Sequence, residues 1–199
     1  MRRFVIIGQR ASASGDFRRD DIPSTSGRLD VLLRALRASL LVSHGLRTDT
    51  IGYLVLRGGP RAPRTLRFDG RAAKYLRPDE RSLATTVQKA LVAERPASLA
   101  FQEHRPGIAI ADGGLDVVIA DAGDGPAYVL DERGADVRSA ALDPASALVF
   151  VGDHLGFTDE DRARIDARGA TPLSIGPVSV QADDAIAVFA NELDRRQAR

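Results

Sequence analysis

Short apolar runs of strand length alternate along this chain with stretches in which leucine, valine and alanine recur at helical spacing. The first pattern predicts buried strands, and the second predicts amphipathic helices. This alternation favours an α/β fold with a largely parallel sheet. The predicted strands are residues 1–8, 51–56, 65–68, 108–110, 128–130, 147–151 and 173–175.

Helix boundaries carry local signals. A helix is expected to open at Ser26-Gly27, and another at Pro78-Asp79 with Asp79 as its N-cap. Thr158 and Asp161 have the spacing of a capping pair. Further helices are predicted over residues 115–121, 159–167 and 182–196.

Two segments interrupt the regular alternation. Residues 9–25 are polar and rich in Ser, Asp and Arg, which predicts a flexible loop after the first strand. Gly58-Gly59-Pro60 separates the second and third predicted strands. Because a turn this short suits a hairpin, these two strands are expected to pair antiparallel.

Composition limits the possible functions. With 199 residues and 44% hydrophobic content, the chain is expected to form a single domain, residues 1–199, around one core. It has no cysteine, which excludes disulfides, thiolate metal sites and a nucleophilic thiol. Its three histidines lack metal-ligand spacing, so no metal is expected. The apolar run at the amino terminus is too short for a signal or membrane helix, which predicts a cytoplasmic protein without a membrane partner.

The net charge of +1 hides a strong asymmetry. Residues 1–100 contain 19 basic and 9 acidic side chains, whereas the remainder contains 9 basic and 18 acidic ones. Such polarity suggests that the first half faces a polyanion, and arginine suits RNA because its planar fork grips phosphate and stacks on bases. The alternative is a set of solvated arginines with no common partner.

Two strand-to-turn segments are candidates for a ligand site. Residues 147–156 run from an apolar strand into Gly152, and residues 172–180 run from a strand into Gly176-Pro177. Strand ends of this kind place main-chain groups at the carboxyl edge of a sheet, where α/β proteins bind ligands. Each segment also has a purely structural interpretation, as a tight turn or as a lead into a helix.

The chain resembles a known family through four segments taken together. They are Ser26-Gly27-Arg28-Leu29-Asp30, Pro78-Asp79-Glu80-Arg81, residues 151–156, and residues 173–177 followed by a helix that reaches Asp194. In this order they resemble the tRNA pseudouridine-54 N1-methyltransferase family of the SPOUT superfamily, over almost the whole chain. The resemblance implies a SPOUT-type α/β fold with a C-terminal deep trefoil knot, a homodimer, and S-adenosylmethionine as cofactor.

The resemblance also implies site residues. Asp30 and Asp79 are candidate catalytic residues, because N1 of pseudouridine carries a proton that must leave when the methyl group arrives. The cofactor would contact Leu130, Gly152, Leu173, Ser174, Ile175, Gly176, Pro177, Val178, Ser179 and Val180. The arginines expected to contact RNA are Arg28 and Arg81 from the resembling segments, together with Arg64, Arg67 and Arg71 from the arginine-rich stretch over residues 57–71 of the basic half. Structural alternatives stay open: Asp79 as a helix cap only, and Arg28 with Asp30 as an ordinary ion pair.

One departure from the family pattern bears on activity. Archaeal members carry a cysteine in the lead of the final helix, where this chain has Ala185. The leading hypothesis is methylation of N1 of pseudouridine in the T-loop of tRNA. The alternatives are methylation of another RNA, and a non-catalytic homologue that binds RNA and S-adenosylmethionine. An unrelated nucleotide-binding enzyme is disfavoured because G-x-G-x-x-G and Walker A patterns are missing.

Overall fold

One mixed sheet of eight strands organises the protein, whose computed structural model describes residues 1–198. The strand order is β10-β8-β9-β1-β4-β5-β7-β6, and β2 with β3 forms a separate small hairpin. The strands are β1 (Arg2–Ser12), β2 (Leu41–Val42), β3 (Gly45–Leu46), β4 (Thr50–Gly58), β5 (Arg64–Asp69), β6 (Gln102–Arg105), β7 (Ile108–Ala111), β8 (Ala127–Asp136), β9 (Ala147–Gly152) and β10 (Thr171–Ser174).

Five strands from β10 to β4 pair in parallel, as the alternating pattern predicts. Strand β1 lies inside this half, with Arg2 opposite Thr50 of β4 and Ala147 of β9. Its apolar side chains are buried on both faces, since Phe4 and Val5 are both 0% exposed. Strands covered on both faces are expected where helices connect parallel neighbours.

Helices cover both faces of the sheet. On one face α2, α3 and α6 pack over side chains such as Phe4 and Ile6, and on the other α4 and α5 pack over Val5 and Ile7. This alternation follows from the two-residue period of a strand. The helices are α1 (Ile22–Thr25), α2 (Leu29–Leu40), α3 (Glu80–Val92), α4 (Leu115–Ala122), α5 (Asp159–Ala167) and α6 (Ala182–Gln197).

The other edge of the sheet is antiparallel. Strands β4 and β5 pair antiparallel, which confirms the predicted hairpin, and β7 continues the pattern. Strand β6 was not predicted, because its sequence Gln102-Glu103-His104-Arg105 has no apolar alternation. It forms by pairing with the apolar strand β7 at the edge of the sheet, where half-exposed polar side chains are tolerated.

The prediction of a flexible loop over residues 9–25 is wrong. Strand β1 extends to Ser12, and the following residues include buried Ala13, Phe17 and Ile22. The segment is tied to α3 by the side-chain amide of Gln88, which donates to the carbonyl oxygens of Gly15 at 3.0 Å and Phe17 at 2.8 Å. These few buried apolar side chains, which have polar neighbours in the sequence, order the segment.

The predicted starts of α3 and α5 are confirmed, whereas α2 begins at Leu29, just after the predicted Ser26-Gly27. Asp79 caps α3 by accepting a hydrogen bond from the Ser82 amide at 2.8 Å. Thr158 and Asp161 form a reciprocal capping box at α5. Such caps satisfy amide groups that the first turn leaves without partners.

The C-terminal helix lies against residues 137–146, the segment between β8 and β9. The Arg196 guanidinium donates to the carbonyl oxygens of Val137 at 2.8 Å and Ala140 at 2.7 Å. Arg2, which is 1% exposed, bonds the Pro144 carbonyl oxygen and the Gln197 side chain and forms an ion pair with Asp194. The end of α6 is therefore bound to both the first strand and this segment.

Candidate functional site

The carboxyl ends of β9 and β10 meet the interior of β8 at one edge of the sheet, where the predicted cofactor residues Leu130, Gly152 and Leu173 lie. Val129 of β8 pairs with Phe150 of β9 and with Pro172 of β10. Leu130 lies one residue beyond this row, Leu173 follows Pro172, and Gly152 ends β9. Main-chain groups from three strands therefore converge there, as ligand sites of α/β proteins require.

A bulge in β8 shapes this edge. Val129 pairs with Pro172 and Ala135 pairs with Leu173, so residues 130–134 have no partner on β10. Gly134 lies so close to β10 that a Cβ atom would stand 2.4 Å from the Leu173 nitrogen. Glycine is needed there because any side chain would push the two strands apart.

The turn after β9 is equally tight. A Cβ atom on Gly152 would lie 2.9 Å from the Gly156 Cα atom. Asp153 is 8% exposed and its carboxylate accepts hydrogen bonds from the main-chain amides of Gln9 at 2.9 Å and Leu155 at 2.8 Å. The buried carboxylate therefore fixes the β9 turn to the end of β1.

The segment from Ser174 to Val180 leaves the sheet and runs openly to α6. Val178 is 69% exposed and Val180 is 46% exposed. In the described chain, the main-chain amides of Val178, Ser179 and Val180 donate no hydrogen bond to the protein. Exposed apolar side chains beside free amides are what an adenosine ring and its polar edge would use.

A cluster of charged side chains lies at the start of α2. Arg28 holds a left-handed conformation with φ of 68° and forms a two-pronged ion pair with Asp30 at 3.0 and 3.1 Å. Arg34, one turn along the helix, donates to Asp30 at 3.1 Å and lies 3.9 Å from Asp183 of α6. The ion pair expected between Arg28 and Asp30 is present, and it belongs to a larger network.

The network governs the protonation of Asp30, which is 3% exposed. Burial alone would raise the pKa of its carboxyl group, but hydrogen bonds and charge from Arg28 and Arg34 outweigh burial and leave the pKa lowered. The pKa of the Arg28 guanidinium is raised, first by the hydrogen bond that it donates to Asp30 and then by the charge of that carboxylate, with a smaller contribution from the charge of Asp153.

The start of α3 joins the same region. Glu80, which follows the capping residue Asp79, has its carboxylate 3.8 Å from Arg34. Arg34 thus faces carboxylates of α2, α3 and α6. The two predicted catalytic aspartates therefore lie on helix starts that meet at one arginine. Asp79 is exposed, whereas both oxygens of Asp30 accept hydrogen bonds from arginine.

The arginines of the β5 region do not form one RNA surface, which corrects the sequence prediction. Arg64 is 1% exposed and its guanidinium donates to Asp112 and to the carbonyl oxygens of Ala13 and Leu91, so it is unavailable to RNA. Arg67 lies on the opposite face of β5 because it is three positions away.

The two remaining arginines of this group are less enclosed. Arg67 forms an ion pair with Asp121 at 2.8 Å and lies over the Phe101 ring at 5.2 Å. Arg71 is exposed beyond the end of β5. The three side chains therefore have three different surroundings, and Arg64 has a structural role in joining β5, α3 and the end of β1.

Sequence reasoning missed three residues of this region: Arg34, Asp183 and Asp153. Arg34 stands four residues after Asp30, a spacing that places both on one helix face and could have indicated the pair. Asp183 carries no such local signal, because its partner Arg34 is distant in the chain. Asp153 lies within the candidate segment 147–156, but its bond to the Gln9 amide is also between distant parts of the chain. One Asp183 oxygen is buried without a hydrogen-bond partner among residues 1–198.

Ala185 lies in the first turns of α6 and is 8% exposed. Its amide donates to the Gln181 carbonyl oxygen at 2.9 Å, so the helix begins directly after the open segment. Ala185, the position at which archaeal members of the family carry cysteine, therefore follows the candidate cofactor edge in the chain.

Two observations concern other kinds of site. Within residues 1–198, no group of three or more His, Asp or Glu side chains is arranged to hold a metal ion. None of the helices described here has the length and apolar character needed to cross a bilayer.

Comparison with known proteins gives concordant matches. The model of a family described as "Putative SAM-dependent RNA methyltransferase" matches residues 1–198. A Methanosarcina acetivorans protein named tRNA (pseudouridine(54)-N(1))-methyltransferase is 35% identical over 198 residues, covering 100% of this chain and 93% of that protein. A protein of the same name from Methanocorpusculum labreanum is 40% identical over 200 residues, covering 98% of each.

A solved structure shows the same fold. Archaeoglobus fulgidus Nep1, bound to S-adenosylhomocysteine, superposes with a TM-score of 0.66 over 100% of this chain and 99% of that one. The sequence identity is 15%, so the similarity concerns the fold alone.

Proposed function

Because the chain belongs to this family of SAM-dependent RNA methyltransferases, we propose that it methylates N1 of pseudouridine in the T-loop of tRNA. The family inferred from the four sequence segments is thereby confirmed. The observation that carries the proposal is the meeting of two features at one edge of the sheet. They are the open segment from Ser174 to Val180 and the charged cluster around Asp30, joined through Arg34 and Asp183.

The residues at this edge fit S-adenosylmethionine. Exposed Val178 and Val180 offer apolar contact, and free amides in the same segment offer donors for a ring nitrogen or a carboxylate. Gly134 and Gly152 allow the main chains at the strand ends to approach closely, because a side chain at either position would collide with the neighbouring segment. When bound, this cofactor supplies an activated methyl group on a sulfonium. The positive charge of the sulfonium suits an acidic side chain near the segment, such as Asp183.

The protein's own groups would act mainly by positioning, since a sulfonium is already a good leaving group. Arg28 and Arg81 would hold phosphate or base, and Asp30 keeps Arg28 and Arg34 in place. Asp30 is a weak proton acceptor because its pKa is lowered. Asp79, exposed and with one oxygen engaged in the cap, is the better candidate to receive the N1 proton, directly or through water.

We also propose that the fold is of the SPOUT type with a C-terminal trefoil knot, in one domain, and that two copies form a homodimer. Support for the knot comes from the bonds between α6 and residues 137–146, since a threaded helix must contact the segment it passes. Support for the dimer comes from the exposed apolar side chains Leu155, in the turn after β9, and Val188, on α6, which are 47% and 43% exposed.

A methyl-transfer assay tests the function. With tritiated S-adenosylmethionine, tRNA that contains pseudouridine at position 54 should gain label, while the same tRNA with uridine there should not. Asp79→Asn should lower kcat at least tenfold while leaving the melting shift caused by S-adenosylmethionine unchanged. Equal labelling of both tRNAs would refute the proposed acceptor atom.

Ala185 supports a second candidate, a homologue that binds RNA and S-adenosylmethionine without transferring methyl. In that case the cofactor should raise the melting temperature while no RNA gains label. Ala185→Cys would then be expected to restore transfer. Labelling by the wild-type protein would exclude this candidate.

A further inference from the structure

We propose that a basic cleft between residues 17–20 and α3 holds an RNA phosphate next to the methyl-transfer site. The cleft is an open surface depression with a volume of about 480 Å³, lined by Phe17, Arg18, Arg19, Asp20, Arg81 and Gln88. The proposal rests on the function above and adds a binding site in a segment that the sequence predicts to be a flexible loop.

The floor of the cleft is rigid. Gln88 of α3 holds the carbonyl oxygens of Gly15 and Phe17, and the Phe17 ring is 3% exposed. Farther along, the Arg18 amide donates to the Thr25 hydroxyl at 2.9 Å. The arginine backbone is thus fixed before any ligand arrives, which lowers the entropy cost of binding.

The charge of the cleft is unbalanced. Three arginines and one carboxylate, that of Asp20, line the cleft. The neighbouring Asp21 also places a negative charge near Arg18, so one positive charge is left over. Arg18 forms a two-pronged contact with Asp20 at 2.7 and 3.2 Å. All three guanidinium groups belong to exposed residues, in contrast to Arg64. A phosphodiester provides the oxygens and the negative charge that such a set of forks binds.

The cleft adjoins the candidate reaction site through α3. Glu80 lies 3.8 Å from Arg34 of the charged cluster, while Arg81, the next residue, lines the cleft. Successive Cα atoms are about 3.8 Å apart, so the two sites are neighbours on one helix turn. A phosphate in the cleft would therefore belong to a nucleotide close to the methylated base.

Binding of tRNA measured against salt concentration tests the cleft. The double variant Arg18→Ala/Arg19→Ala should weaken tRNA binding about tenfold near 0.15 M salt. It should reduce the slope of log K against log salt by about 0.7 to 0.9 for each arginine. Arg37→Ala, which removes an exposed arginine near the other end of α2, is the control and should leave the slope unchanged.

Asp20→Asn gives an opposite prediction from the same cleft. Removing the one carboxylate should tighten tRNA binding severalfold and steepen the salt dependence. A role of Arg18 and Asp20 in folding alone would instead make both variants bind more weakly, in proportion to lost stability.

The outcomes separate the two proposals. If wild-type protein labels pseudouridine-containing tRNA but the Arg18/Arg19 variant binds it with unchanged affinity and slope, the cleft proposal is overturned and the function stands. If wild-type protein labels no tRNA while the arginine and aspartate variants shift binding as expected, the function fails and the cleft remains a phosphate site. Melting shifts with S-adenosylmethionine should be the same in all variants.

Discussion

The two sides of the candidate site use their polar groups in opposite ways. On the candidate cofactor side, Val178 and Val180 are exposed, and the main-chain amides of residues 178–180 donate no hydrogen bond to the part of the protein that the structure describes. On the acceptor side, Asp30 is 3% exposed and both of its oxygens accept hydrogen bonds from arginine. The first side therefore offers amides and apolar side chains that a ligand can contact. On the second side, the Asp30 carboxylate is already bonded to Arg28 and Arg34 and orients them.

This difference separates stability from binding. Substitutions on the acceptor side should be costly for folding, because they leave charges without partners. Substitutions in the open segment should change cofactor affinity with little effect on folding, because few protein contacts are lost. The strand bulge that supports the open segment is the exception and should affect both.

Gly134→Ala should have the largest effect. Its Cβ atom would press on the Leu173 nitrogen and separate β8 from β10, at a cost of about 3 kcal/mol in unfolding free energy and most of the cofactor affinity. Urea denaturation and calorimetric titration with S-adenosylmethionine would measure the two effects. Gly176→Ala is the matched control: no atom lies within 4 Å of its Cβ, so stability should be unchanged while affinity falls.

Asp30→Ala should rank second, with a loss of about 2 kcal/mol. The substitution leaves Arg28 and Arg34 without their shared carboxylate, and the partial exposure of both arginines limits the cost. Asp30→Asn keeps the size of the side chain and should cost about half as much. Urea denaturation at pH 7 checks the order, and equal stability of both variants and wild type would remove the distinction between the two sides.

The pH dependence sharpens the same point. Because the pKa of Asp30 is lowered in the folded protein, its contribution to stability is full above the unfolded pKa of about 3.9 and is lost as the pH falls through the folded value. The stability difference between wild type and Asp30→Asn should therefore shrink below about pH 4. Melting temperatures of both proteins from pH 7 to pH 3 test this, and parallel curves would contradict it.

Val178→Ser should have the smallest effect on stability, below about 0.5 kcal/mol, because the side chain is 69% exposed. Affinity for S-adenosylmethionine should nevertheless fall severalfold, since an apolar contact with the ligand is lost. A thermal-shift titration separates the two quantities. Unchanged affinity would place the ligand elsewhere than residues 174–180.

The fold was largely predictable because its signals are local. The apolar runs of β1, β4 and β9 and the cap residues Asp79 and Thr158 indicate their elements without reference to the rest of the chain. Strand β6 lacks such a pattern and depends on its neighbour β7. The order of residues 13–25 depends on Gln88, which comes more than sixty positions later.

The sequence predicted the candidate site only where the residue type and its position in an element both indicated the same role. Gly152, at the end of β9, pointed correctly to a converging edge, because the close approach of Gly156 leaves no room for a side chain there. Gly176 has no such close neighbour. Charge did not distinguish Arg64 from its neighbours: only tertiary packing shows that its guanidinium is buried against Asp112, whereas Arg18 and Arg19 are exposed. Arg34 and Asp183 come together through the packing of α2 on α6, which no local pattern reveals.

Arg196 donates hydrogen bonds to the segment between β8 and β9, so the last turn of α6 holds the helix in place although its sequence is polar. A tail added after this turn would leave the hydrogen bonds of Arg196 intact. Deleting the turn would instead leave two carbonyl groups without their donor and weaken the attachment of the helix that follows the candidate cofactor edge. The protein should therefore tolerate lengthening at this terminus far better than shortening.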